Sequence, residues 1–213
     1  MATATATAPE PTTQAATFRP WPMTVAFYER MIEAGVFQDE RIFLWKGRLV
    51  ENRAKLRPHT VAVMRLYDAL KPLVTASGIG FAETEAPVSL IVGGASMPEP
   101  DVKVVRGRVQ DYKKIPTSKD VPLIAEVADS SLAADRSEKL EQYAIESIPV
   151  YWIANVVDRR IEVYTGPTGP AEAPGYAACT IYRSGERAPV VLDGVEVGRI
   201  DIDEIFPKTD PWL

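Results

Sequence analysis

The 213-residue chain has one cysteine, Cys179, and one histidine, His59. A single cysteine excludes an internal disulfide and any site built from several thiolates. A single histidine excludes a two-histidine zinc site and the H-E-x-x-H motif. A Ser-His-Asp triad would have to use His59, and no G-x-S-x-G elbow accompanies it. Neither G-x-x-x-x-G-K-[ST] nor G-x-G-x-x-G occurs, so phosphate-cradling glycine loops are excluded too. No run approaches the roughly 18 consecutive apolar residues of a membrane helix. The N-terminus, MATATATAPEPTTQAATFRP, has neither a charged n-region nor an apolar h-region, so it is no secretory signal. Its Ala/Thr/Pro bias predicts a disordered tail over 1–20, followed by one domain over 21–213. The expected compartment is cytoplasmic, with no membrane association. The net charge of −5 argues against coating nucleic acid by bulk electrostatics. Lys103, Arg106, Arg108, Lys113, Lys114 and Lys119 nonetheless form a local basic cluster. That cluster reads either as a binding surface or as a solvated loop.

What remains chemically is carboxylate and lysine. The stretch Val121 to Thr165 reads as strand, loop, helix, strand, turn, strand. Val121 to Ala128 is apolar except for Glu126. A carboxylate in a strand buried on both faces needs a partner, a hydrogen bond or a metal. Asp135 to Glu138 fits a D-x-x-E capping signal, which starts the next helix near Asp135. Lys139 then falls in its first turns, close to the end of the Glu126 strand. The pair reads either as an ion pair tying helix to sheet or as the ligand-binding end of the sheet.

Other elements frame this stretch. Trp21 to Ala34 predicts a helix capped by Thr24. Arg41 to Leu44 and Arg48 to Asn52 predict a hairpin around Lys46-Gly47, with Glu51 late in its second strand. Pro58 to Thr75 predicts a helix stopped by Gly78 and broken in its last turn by Pro72. Gly80 to Val92 predicts a bent edge strand. Pro100-Asp101 opens a short strand, and DIDEIF, Asp201 to Phe206, predicts a closing helix. His59 reads as an ordinary histidine at a helix start, and Tyr143, Tyr151 and Trp152 as core.

If the Asp101 and Glu126 strands are neighbours, the two carboxylates approach one another. They repel unless a cation lies between them, and hard divalent ions favour such oxygens. A lysine nearby can stabilise developing anionic charge. The parts suit metal-dependent hydrolysis of a phosphodiester. A sugar hydrolase built on a carboxylate pair would leave Lys139 unused.

At these residues the chain resembles a known family. Pro100-Asp101, Glu126-Val127, Asp135 to Ala144 (DRSEKLEQYA), Ile148 to Ile153 (IPVYWI) and Ile161 to Tyr164 (IEVY) are similar to the Uma-type restriction endonuclease family of the PD-(D/E)XK nuclease superfamily. Gly47 to Glu51 and the terminal DIDEIF extend the likeness, which covers roughly 43–206. The resemblance implies an α/β fold of the α+β mixed-sheet kind: a restriction-endonuclease-like core with a central mixed β-sheet, flanking helices and an N-terminal β-hairpin. It implies Asp101 and Glu126 as ligands of Mg²⁺ or Mn²⁺, Lys139 as the catalytic lysine, and Glu51 as an accessory acid. It implies DNA as partner; many nucleases that cut both strands work as dimers, which makes a homodimer an expectation for such an enzyme. In the superfamily the lysine usually lies two residues after the acid, where this chain has Ala128; Lys139 takes its place from the helix. Asp129-Ser130-Ser131 departs from the family's Ser-Pro-Ser-like turn. The alternative is a nuclease fold that binds nucleic acid or a protein partner without hydrolysis.

Overall fold

The computed structural model describes residues 21–37, 41–52 and 54–206. The tail expected over 1–20 lies outside the described residues. Helix α1 (Val25–Glu33) starts where the Thr24 hydroxyl accepts the Phe27 amide at 3.3 Å. Strands β1 (Ile42–Trp45) and β2 (Arg48–Glu51) pair antiparallel. Lys46 and Gly47 turn between them at φ of 47° and 75°, the left-handed pair that a two-residue hairpin needs.

Helix α2 (Arg57–Ser77) runs through Pro72 rather than breaking there. Pro72 lies on the exposed side, and Gly78, at φ 69°, closes the helix further on. Of the expected long strand only Gly80–Thr84 forms a strand, β3; Pro87 falls in the following loop, and Ser89 and Leu90 make isolated bridges to Thr117 and Ser96.

Six strands form the main sheet in the order β3-β4-β5-β6-β7-β8. They are β4 (Val102–Arg106), β5 (Leu123–Ala128), β6 (Val150–Asn155), β7 (Arg160–Pro167) and β8 (Tyr176–Arg183), after β3 at one edge. All neighbours are antiparallel except β5 and β6. A parallel pair needs a crossover, which comes from α3 (Leu132–Ala134), a π-helical turn (Asp135–Lys139) and α4 (Leu140–Ile145). The helix therefore starts at Leu132, not near Asp135. The Asp135 carboxylate accepts from the Ser131 hydroxyl at 2.5 Å and is fully buried inside the helix, so it caps nothing. Strands β9 (Arg187–Leu192) and β10 (Val195–Asp201) form a separate antiparallel pair. The short closing helix α5 (Ile202–Ile205) is capped by Asp201.

Side chains alternate along β5. Leu123, Ala125 and Val127 pack with Leu66, Leu70 and Val74 of α2. Ile124 and Ala128 face the other way, into a cluster with Tyr143, Ile148 and Tyr151. Glu126 shares that second face, beneath the π turn. Lys103 leaves the basic cluster, whereas Lys113, Lys114 and Lys119 stay exposed. Lys103 is buried and pairs with Glu83 at 2.7 Å, Arg106 binds Asp193, and Arg108 binds Asp111. β4 is buried on both faces from Val102 to Val105, so Lys103 is buried with it.

Candidate active site

The register of β4 against β5 brings the two carboxylates together. Val102 pairs with Ala125, so Asp101, one step earlier, lies alongside Glu126, one step later. Both are buried, at 5% and 2% exposure. They open on a cleft of about 460 Å³ whose walls include Phe43, Glu51, Lys55, His59, Ser131 and Lys139. A second cavity, of about 500 Å³, lies between α1, β3 and the loop after β4. None of the candidate groups Asp101, Glu126, Lys139 or Glu51 lines it, so size does not mark the site.

The Lys139 ammonium lies 3.0 Å from Glu126 Oε2 and 3.0 Å from Asp135 Oδ1. The Tyr143 hydroxyl donates to Glu126 Oε1 at 2.7 Å. The π turn sets this arrangement, projecting Lys139 toward the end of β5 while Tyr143, one turn on, reaches the same carboxylate. Such turns inside α-helices recur at functional sites. Asp101 Oδ2 accepts the Val127 amide at 2.7 Å and faces His59 Nε2 at 3.2 Å. Its Oδ1 accepts from the Lys55 ammonium at 2.5 Å.

Electrostatics separate the two acids. Burial pushes the Glu126 carboxyl up; Lys139 opposes this, Asp101 and Asp135 reinforce it, and it settles at about 7. Burial also opposes ionisation of Asp101, but the hydrogen bond and charge of His59, with Lys55 and Lys139, hold it well below the usual carboxylate range. Burial alone would lower the Lys139 ammonium, yet Glu126, Asp135 and Asp101 raise it, so it stays charged.

The structure thus places Asp101, Glu126 and Lys139 in one cluster and Glu51 on the exposed wall of the same cleft. Sequence reasoning passed over Lys55, the role of His59, and Asp135 as a partner of Lys139. Two signals were available. Lys55 and His59 are four apart at a helix start, as are Asp135 and Lys139 within a helix.

Buried hard oxygen donors on neighbouring strands, with excess negative charge around Glu126, fit a divalent cation. Among the described residues no group of three or more His, Cys, Asp or Glu could hold a metal. The pair would therefore be completed by water, backbone or substrate oxygens.

The sheet is mixed with a single parallel pair, and the carboxylate pair lies between β4 and β5. The Uma2 family, described as "Putative restriction endonuclease", matches residues 25–199, and the chain belongs to it. No curated protein matches. Among solved structures the chain is similar to a "putative nuclease belonging to DUF820" from Anabaena variabilis ATCC 29413. The TM-score is 0.62 at 12% identity, covering 87% of this chain and 98% of that one. At that identity the likeness speaks for the fold.

Proposed function

We propose that this protein is a metal-dependent endonuclease that hydrolyses phosphodiester bonds of DNA. The observation that carries the reading is the side-by-side placement of buried Asp101 and Glu126 at a cleft that also holds Lys139. Asp101 and Glu126 would hold Mg²⁺ or Mn²⁺, which supplies Lewis acidity toward water and a phosphoryl oxygen. Val127 and His59 orient Asp101, and Tyr143 orients Glu126. Lys139, kept charged by its carboxylates, stabilises negative charge as it develops on the phosphoryl group. Glu51, on the wall, acts as an accessory acid toward water or cation. The apolar side of the cleft, with Phe43 and Val50, limits water around the scissile group.

Calorimetric titration of Mn²⁺ into wild type and Glu126→Ala is the direct test. Binding by wild type that the substitution removes supports the site, and cleavage of plasmid DNA that depends on the ion and on Asp101 completes it. A second reading rests on one specific observation: both carboxylates already have ammonium partners, Lys55 and Lys139. A module that binds nucleic acid or protein without hydrolysis needs no more than that. DNA binding without metal uptake or turnover would select it.

A further inference from the structure

Each carboxylate of the pair divides its oxygens in the same way. Asp101 Oδ2 is tied to the fold by the Val127 amide and by His59, at 2.7 and 3.2 Å. Asp101 Oδ1 takes the Lys55 ammonium at 2.5 Å. Glu126 Oε1 is tied by Tyr143, and Oε2 takes Lys139 at 3.0 Å. The oxygen not engaged by the fold is in each case covered by a lysine that lines the cleft. A divalent cation and an ammonium repel if they share one carboxylate oxygen at bonding distance. Uptake of the cation therefore displaces a lysine.

The lysines differ in what retains them. Lys139 has Asp135, fully buried, at 3.0 Å. The second partner of Lys55 is Glu85, at 2.9 Å on the rim with its side chain 49% exposed. An exposed ion pair holds a long side chain weakly. Lys55 stands just ahead of α2, in the cleft wall, on a flexible four-carbon stem.

We infer that Lys55 is a phosphate contact for the nucleic acid substrate, held on Asp101 until a divalent cation takes its place. The charges favour this exchange. Asp101, Glu126, Asp135 and Glu85 outnumber Lys55 and Lys139 by two charges, and a divalent cation cancels that excess, so the released Lys55 ammonium can meet a phosphodiester strand that the acids would otherwise repel. Cation and nucleic acid then bind with positive coupling, each strengthening the other by the same factor. This rests on the nuclease reading and extends it to a residue outside the carboxylate–lysine cluster.

The test compares wild type, Lys55→Gln and Lys55→Arg, with folding checked by thermal unfolding. Mg²⁺ is titrated by calorimetry without DNA. A fluorescent DNA duplex is then titrated in Ca²⁺ across a range of salt concentrations. Lys55→Gln should bind Mg²⁺ several-fold more tightly, because a competing cation is gone. It should bind DNA about 5- to 10-fold more weakly, with a log–log salt slope shallower by about one. Lys55→Arg should restore the slope. Weaker Mg²⁺ binding with an unchanged slope makes Lys55 a prop for Asp101 and overturns the inference. Wild type that binds DNA in Ca²⁺ while Lys55→Gln keeps the same slope removes the inference and leaves the nuclease reading standing. Wild type that binds no DNA with Ca²⁺ removes both.

Discussion

Two neighbouring carboxylates, with nearly the same chemistry in water, meet opposite fates here. Asp101 collects an amide, an imidazole and an ammonium, and ionises easily. Glu126 lies deeper, shares Lys139 with Asp135, and is pushed up. A divalent cation would offset what burial costs Glu126, so the ammonium of Lys139 has two duties. It neutralises the acids at rest and, in the proposed reaction, would face the phosphate. Lys139→Gln is one atom shorter and keeps a donor but removes the charge. Its turnover should fall by about 10²–10³, measured as kcat on plasmid DNA at saturating Mg²⁺. An unaltered kcat would reduce Lys139 to a structural partner.

At the scale of elements, the site depends on how strands and helix are held. The edge strand β3 lies so close to β4 that a Cβ on Gly80 would meet the Val105 carbonyl oxygen at 2.0 Å. That contact is with backbone, which cannot rotate away. Gly80→Ala should therefore destabilise the fold by about 1–3 kcal/mol or more, read from the urea midpoint, and a midpoint like that of wild type would contradict the packing. The π turn is the second device. A regular α-helix from Leu132 would place Lys139 and Tyr143 at other angles to Glu126. Its signal is faint in sequence, because a π turn adds one residue to a helix without altering composition. The capping pattern at Asp135 consequently predicts a helix start, whereas the helix begins at Leu132, just after Ser131, whose hydroxyl reaches the Asp135 carboxylate.

Across the whole molecule, the crossover helix is clamped to the sheet by Glu162 of β7. Glu162 pairs with Arg136 of the π turn, with Arg160 at 3.1 Å, and with the Tyr164 hydroxyl at 3.0 Å. Burial opposes its ionisation, but Arg136, Tyr164 and Arg160 prevail and lower its pKa below the ordinary 4.5. A lowered pKa means that this stabilisation is complete above about pH 4.5 and is lost as pH falls through the folded value. Glu162→Gln should thus unfold more readily at neutral pH and lose less on acidification. Urea denaturation at pH 7 and at successively lower pH reads both. Parallel curves for the two proteins would show that Glu162 carries no pH-linked stability.

Much of this architecture was legible in order along the chain. The hairpin at Lys46-Gly47, the Thr24 cap, the Gly78 stop, the short closing helix and the buried strand around Glu126 follow from local backbone preference and hydrophobic period, which neighbours in sequence suffice to express. Pro100-Asp101, Glu126 and the DRSEKLEQYA run were enough to suggest the family. The remainder depended on contacts between distant residues. Pro72 could stay in α2 because it faces outward. Lys103 left the basic cluster because β4 turns it under the edge strand toward Glu83. His59 and Lys55 joined the site because α2 begins beside Asp101. Periodicity says which side of an element is apolar, and only the register of β4 on β5 and the pitch of one helical turn decide which charges meet there.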